Sequence, residues 1–250
     1  MNNIINVNEN SAMLRDSAHV NVSEKYKFIN TYDIVAKFAA HGWVPTKYTE
    51  ARTRKYQGYQ THQVQLTHPD DGITKVGDSS LRILIINNHH ASKSMVIKLG
   101  LFRLVCSNGL VVEDAGVDSI KVRHMGLTID DQIAAFIEKI TVAAERLRAR
   151  ITYLSQLPLS IDETKLFTRA ALATRFDPDS ITDAMVAAAS RPNRIADAGG
   201  SAWTVFNTVQ ENIIRGFEVP DMTRRIRRIT SLARDTKINE QLWSLLPKAA

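Results

Sequence analysis

From Ile129 onward the apolar residues recur at spacings of three and four: Ile129, Ile133, Phe136, Ile140, Ala143, Leu147, Ile151 and Leu154. That spacing returns side chains to one face at each helical turn. It predicts a long amphipathic helix from near Thr128 to near Leu154. Thr128 and Asp131 form a capping-box-like start, and Glu138, Lys139, Glu145, Arg146, Arg148 and Arg150 make the polar face. Upstream, from Trp43 to Met125, the pattern is strand-like. Segments 43–53 and 57–67 alternate, with β-formers such as Tyr59, Val64 and Leu66. Leu81–Asn87 reads as a short buried strand. Leu101–Ser107 and Gly109–Val112 read as a strand and its continuation around an Asn-Gly turn. In Ser119–His124, Ile120 and Val122 share one face, and Lys121 and Arg123 the other.

Turns and caps divide the rest. Lys55–Gly58 and Pro69-Asp70-Asp71-Gly72 read as turns, the latter at the tip of a hairpin. A short helix fits Thr31–His41, with Asn30 or Thr31 as cap, Ile34, Val35 and Phe38 as its apolar stripe and Gly42 as its end. Past the long helix, further helices fit 161–175, 180–190, 202–215, 221–234 and 237–246. Ser160 with Glu163 is a capping box, and Pro158, Pro178, Pro192 and Pro220 fall between the helices. Residues 1–24 lack apolar periodicity and read as a flexible tail. The organisation expected is a tail over 1–24, a β-rich core with its long helix over 25–156, and a C-terminal helical region over 157–250. The fold class is α+β: an antiparallel meander, a long helix covering one sheet face, then helices.

Composition changes this picture little. The chain has 250 residues, 44% of them hydrophobic, which is enough for a core without disulfides or metals. Its one cysteine, Cys106, forms no intrachain disulfide and sits at the end of an apolar strand, so it reads as structural. No signal-like run opens the sequence, and no apolar stretch approaches the ~20 residues of a membrane span. The reading is a cytoplasmic protein with no membrane partner.

Charge points further. The formal net charge is +6, and cations lie in two groups. The β-rich half holds Arg52, Arg54, Lys55, Lys93, Lys98, Arg103, Lys121 and Arg123, with Tyr48, Tyr56 and Tyr59 among the first of them. Interleaved cations and aromatics are what a single-strand groove uses, cations on phosphates and rings on bases. Arg224, Arg225, Arg227 and Arg228 follow near the C-terminus. They either bind phosphate backbone or form a solvated helix face paired with acidic neighbours. The candidate nucleic-acid residues are therefore Arg52, Arg54, Lys55, Lys98, Arg103, Lys121, Arg123, Arg224, Arg225 and Arg228.

Other chemistry finds less support. His62, His68, His89, His90 and His124 have no compact zinc spacing, and they read as solvated or hydrogen-bonded side chains without a metal. Ser107-Asn108-Gly109 reads as turn chemistry. Trp203 and Trp243 read as core anchors. No Walker loop, Rossmann glycine pattern, GxSxG elbow or paired-carboxylate motif occurs, so neither cofactor nor local catalytic signature is expected.

The segment Gly100-Leu101-Phe102-Arg103-Leu104-Val105-Cys106-Ser107-Asn108-Gly109-Leu110-Val111-Val112 resembles the signature of a phage- and plasmid-borne family, the domain of unknown function numbered nine-three-two. Asn87-Asn88-His89-His90, Arg123-His124 and Gly200-Ser201-Ala202-Trp203-Thr204-Val205-Phe206-Asn207 agree with it. Asn88-His89 departs from the family's Asn-Ser-His form. The resemblance implies mobile-element origin and no particular activity. The order of a sheet followed by a long helix is also similar to the plan of single-strand-annealing proteins.

These readings converge on a noncatalytic DNA-binding protein of a mobile element, acting on single-stranded DNA in recombination, annealing or replication and forming homo-oligomers through exposed sheet edges. The alternative is a counter-defence or regulatory factor that binds a host protein. A dispersed nuclease site is a third possibility.

Overall fold

The computed structural model describes the backbone of residues 8–76, 79–103, 109–111, 120–121, 129–220 and 225–247, and their side chains except over 102–128 and at Thr141 and Leu232. The fold is α+β. The chain divides into two compact units, Met1–Phe102 with Val112–Glu145, and Arg103–Val111 with Arg146–Ala250.

In the first unit, α1 spans Thr31–Ala40. The Asn30 side-chain oxygen accepts the N–H groups of Tyr32 (2.8 Å) and Asp33 (3.4 Å), satisfying two of the helix's orphan donors. Ile34, Val35 and Phe38 are buried, and Gly42, at φ 83°, lets the chain leave the helix. Strand β1, Val44–Glu50, pairs antiparallel with β2, His62–Thr67. Their register slips between Pro45 and Lys47, where proline lacks the N–H that a regular ladder needs.

The expected turn at Pro69–Gly72 is instead the start of a one-turn helix, α2, Asp71–Thr74. The Asp70 side chain caps it by accepting the Gly72 N–H at 2.8 Å. Strand β3, Lys75–Val76, then pairs with β4, Ser79–Asn87, and β4 pairs antiparallel with β2. Strand β5 covers Val96–Arg103 and so begins before the expected Leu101. Ile97, Leu99 and Leu101 are buried while Val96 and Lys98 are half-buried, so period-two alternation already starts at Val96. The Gly109–Val111 strand, β6, lies in the second unit, and β7, Ile120–Lys121, returns to pair antiparallel with β5. In the first unit the strand order is β1-β2-β4-β5, with β3 on β4 and β7 on β5. Val64, Leu66, Leu81, Ile83, Ile85, Ile97 and Leu99 form the sheet's buried apolar centre.

The polar N-terminal stretch, expected to be loose, is docked in part. Ser11, Ala12 and Met13 are buried, and residues 12–14 form a 3-10 turn. The Ala12 N–H donates to Glu50 Oε2 and the Met13 N–H to the Tyr48 hydroxyl, each at 3.4 Å. Three residues are too few to register as a period, yet enough to anchor a segment once a partner surface exists.

Helix α3, Ile129–Gln156, begins in the first unit and ends in the second. Ile133, Phe136, Ile140, Ala143, Leu147, Ile151 and Leu154 are all buried, as their spacing predicts. Phe136 meets Phe38 of α1 edge-on, ring centroids 6.4 Å apart.

In the second unit, α4 covers Ile161–Ala173 with the expected Ser160/Glu163 capping box, and α5 covers Asp183–Ala189. Helix α6 covers Ala202–Arg215 and α7 Leu232–Ser244. Of the expected helix over 221–234, the described part is helical only at 232–234, the start of α7; residues 225–231 form neither helix nor strand. The N–H of Ile226 bonds Phe217 O (3.0 Å) and that of Ile229 bonds Ile214 O (2.9 Å), so both donors go to tertiary partners instead of a helix.

Helix α6 is the centre of this unit, with 12 of its 14 residues buried. Trp203, Phe206 and Trp243 of α7 pack ring on ring, at centroid distances of 5.8 and 6.0 Å, as core anchors. Buried polar side chains on α6 find partners: Gln210 donates to Asn239 at 2.7 Å, and Asn212 to the carbonyls of Ala189 (2.8 Å) and Arg191 (3.0 Å). Among the described residues, no helix is long and apolar enough to cross a membrane.

Candidate functional site

Strand register brings two loops together. Glu50 pairs with His62, and His62 with Asn87, so the end of β1, the start of β2 and the end of β4 lie level. The loops 51–61 and 88–95 therefore leave the same end of the sheet. Tyr56 and His90 stack across them, 4.2 Å apart and 13° from parallel. His90 Nδ1 donates to Tyr59 O at 2.8 Å. Two residues of the N-terminal segment complete the cluster. His19 sets its ring edge-on to Tyr56 (5.3 Å) and Tyr59 (5.2 Å). The Arg15 guanidinium lies 5.1 Å from the Tyr59 ring centre, and Arg15 Nε donates to Gly58 O at 3.2 Å.

Beneath these rings sits a buried polar network. His62 Nδ1 donates to Gln60 O (2.9 Å), so its Nε2 accepts the Thr31 hydroxyl (2.8 Å). Thr31 Oγ1 in turn accepts from Asn87 Nδ2 at 3.0 Å, which makes a neutral imidazole of defined tautomer. Asn88 organises the next loop: its side chain donates to Lys93 O (2.7 Å) and accepts the Ser92 N–H (3.1 Å). Between them Ala91 takes φ 59°, rare outside glycine.

His89 departs from the expectation of a solvated or hydrogen-bonded side chain. It is fully buried, its ring centre 5.0 Å from that of His62 and 4.7 Å from that of Phe28, and although the Ala12 backbone lies near the ring, neither nitrogen makes a hydrogen bond of good geometry. Burial, aided by the nearby His62 and His90 rings, depresses its pKa to about 4. Burial also lowers that of His62. The folded state therefore resists protonation that the unfolded chain accepts near pH 6.5. Stability is complete above that pH and is lost as pH falls from about 6.5 toward the folded value. We expect urea unfolding to show a loss of about 2 kcal/mol between pH 7 and 5 from His89. His89→Phe should flatten that dependence; equal slopes in variant and wild type would refute the assignment.

The candidate residues separate as follows. Arg52, Arg54 and Lys55 are exposed on the loop 51–61, and among the described residues none is within ion-pair distance of a carboxylate. Lys55 Nζ lies 5.0 Å from the Tyr56 ring centre. Lys98 is half-buried on β5 and has a partner of its own. Arg103 and Lys121 are placed on β5 and β7 by backbone alone. Arg123, Arg224, Cys106 and His124 lie outside the described residues. Arg225 and Arg228 are exposed in the second unit, where Arg225 lies 3.8 Å from Glu218. Sequence reasoning missed Arg15, His19 and His90 as neighbours of the tyrosines, because only the meeting of three distant segments makes them so. Among the described residues, no group of three or more His, Cys, Asp or Glu side chains is placed to hold a metal ion.

This surface presents three unpaired cations beside stacked rings, an arrangement suited to phosphates and flat bases. The model of the family described as Domain of unknown function (DUF932) matches residues 18–243. Two proteins of Escherichia coli (strain K12), UPF0380 protein YfjQ and UPF0380 protein YafZ, are each 25% identical to the chain over 240 residues, covering 93% of this chain and 85% of theirs. No solved structure matches the chain.

Proposed function

The chain belongs to the DUF932 family, and from that premise we propose that it is a noncatalytic nucleic-acid-binding protein that takes single-stranded DNA on the loop 51–61. The observation that carries this reading is the exposed trio Arg52, Arg54 and Lys55 beside the stacked Tyr56 and His90 rings. Guanidinium and ammonium groups neutralise phosphates, and an aromatic platform accepts bases of any sequence. A single strand, with its bases unpaired, uses both. The resemblance to phage- and plasmid-borne proteins supports a mobile-element origin, and a single-strand binder of such an element would serve recombination, annealing or replication. Homo-oligomerisation belongs to the same reading, since β1 stands at one end of the strand order.

Fluorescence anisotropy with a labelled oligonucleotide at two salt concentrations tests it. Alanine at Arg52, Arg54 and Lys55 together should weaken binding at least tenfold. It should also make the salt slope shallower by about two units, since each single-strand phosphate contact contributes about 0.7. Thermal stability should hold, because exposed cations contribute little to folding. Unchanged affinity and slope in a folded variant would remove this loop from the interface.

The second reading, binding of a host protein, draws on a different observation. In the second unit a groove of about 740 Å³ is lined by α4, α5 and the loop before α6, and carries Ile161 and Leu166, 75% and 69% exposed. Large apolar side chains left in water are characteristic of protein contacts. A wild-type chain that ignores DNA at low salt would favour this reading.

A further inference from the structure

We propose that the second unit carries a separate phosphate-binding surface, an arginine strap, whose ligand is the nucleic-acid backbone. The strap is the segment 225–230. Ile226 and Ile229 point into the unit, 8% and 9% exposed, and their N–H groups bond the end of α6. Arg225, Arg227 and Arg228 between them are exposed. The segment belongs to neither helix nor strand, and its three exposed arginines fall within four consecutive positions of the chain.

Two arginines remote in sequence are added by the fold. Arg175, which follows α4, donates through its two terminal nitrogens to the carbonyl oxygens of Ile213 and Arg227, tying the strap to α6. Arg234, in the first turn of α7, donates to Arg175 O at 3.4 Å. Removal of Arg175 from water, and secondly its proximity to Arg234, both disfavour its charge. The fold thus gathers cations here against their mutual repulsion.

Compensating carboxylates are sparse. Glu218 reaches Arg225 at 3.8 Å, with both side chains largely in solvent. Glu211 is buried and taken by Arg194 and Arg215. Among the described residues, Arg227, Arg228 and Arg234 have no carboxylate within ion-pair distance. Guanidinium groups clustered on a pinned backbone, three of them without an internal carboxylate, match a chain of phosphodiesters by charge and by their forked donors. Bases are not called for, as the described strap presents no aromatic ring. This surface therefore holds backbone without reading sequence.

The inference rests on the reading that nucleic acid is the ligand, but not on the loop 51–61. The test compares three full-length proteins by single-strand anisotropy across a salt series: wild type, the loop variant with Arg52, Arg54 and Lys55 changed to alanine, and a strap variant with Arg227, Arg228 and Arg234 changed to alanine. Arg175 is left in place because it holds the strap. The strap variant should bind at least tenfold more weakly, with a slope shallower by about two units. Lysine at the same three positions should restore most of the slope. If the strap variant binds as wild type does while the loop variant fails, the strap is a solvated surface and the inference falls alone. If the strap variant fails while the loop variant binds normally, the strap stands and the loop assignment falls. Should the alanine variant not fold, the charge-reversing Arg228→Glu replaces it, and unchanged binding there overturns the proposal. Absence of binding by the wild type at low salt overturns both.

Discussion

Gly216→Ala should destabilise the second unit by about 3–5 kcal/mol, the summed effect of backbone strain and a steric clash. Gly216 ends α6 at φ 84°, ψ 157°, a region open in practice only to glycine. A Cβ there would meet Ile226 O at 2.1 Å, with the Arg227 carbonyl carbon at 2.8 Å and the Arg228 nitrogen at 2.9 Å. All three are backbone atoms of the pinned strap, so no rotamer change relieves the overlap. The strap must lift, uncovering Ile226 and Ile229. At about 2–4 °C per kcal/mol for a chain of this size, the midpoint should fall by roughly 6–20 °C in a thermal melt. Gly199→Ala is the control. A Cβ at Gly199 meets Thr204 side-chain atoms at an ordinary 3.4 Å, and its φ is not in the left-handed region. A Gly216→Ala protein that melts with wild type would show that the strap does not approach α6 this closely.

Removing the carboxylate at position 211 should have a comparable effect. Glu211 is 4% exposed, and its Oε1 and Oε2 accept Arg194 NH2 at 2.8 Å and Nε at 3.2 Å. Arg215, one turn along α6, reaches Oε1 at 3.0 Å. Two guanidinium groups thus share one buried anion. Glu211→Ala removes that shared anion, and a cost of about 3 kcal/mol is expected for breaking such a pair. Glu211→Gln keeps the shape and part of the hydrogen bonding, so its loss should be smaller. Denaturant titration of the three proteins measures both values. Equal midpoints for the alanine variant and wild type would mean that the carboxylate contributes no net stability.

The candidate site was legible only in part. The sequence pointed to Arg52, Arg54 and Lys55 with Tyr56 and Tyr59, because these lie within eight residues of one another. It could not show that His90 stacks on Tyr56, that Arg15 and His19 close over the tyrosines, or that Arg175 and Arg234 join the C-terminal arginines. Each of these depends on segments far apart along the chain. His89 was misjudged for the same reason. Nothing near His89 in sequence marks it as buried without a partner, and that state follows from the positions of Phe28 and His62.

What the sequence determined by itself is local. The spacing from Ile129 to Leu154 specifies α3 because one apolar stripe at period 3.6 admits no other regular structure. Asn30 and Ser160 mark the starts of α1 and α4 because a side-chain oxygen there satisfies an amide one turn away. The short apolar run Leu81–Asn87, bounded by polar residues, marks a buried strand. Tertiary structure decided where local signals were degenerate. Ile226 and Ile229, three apart, read as a helix face, yet they sit on an irregular strap. Their amides went to Ile214 and Phe217 because α6 ends in a glycine that allows the two backbones to approach. Ala12 and Met13 are buried because Tyr48 and Glu50 offer acceptors to their amides, though the surrounding composition reads as a loose tail. A helix turn is closed by neighbours four residues away, whereas these choices wait on partners tens of residues distant, whose positions depend on the rest of the fold.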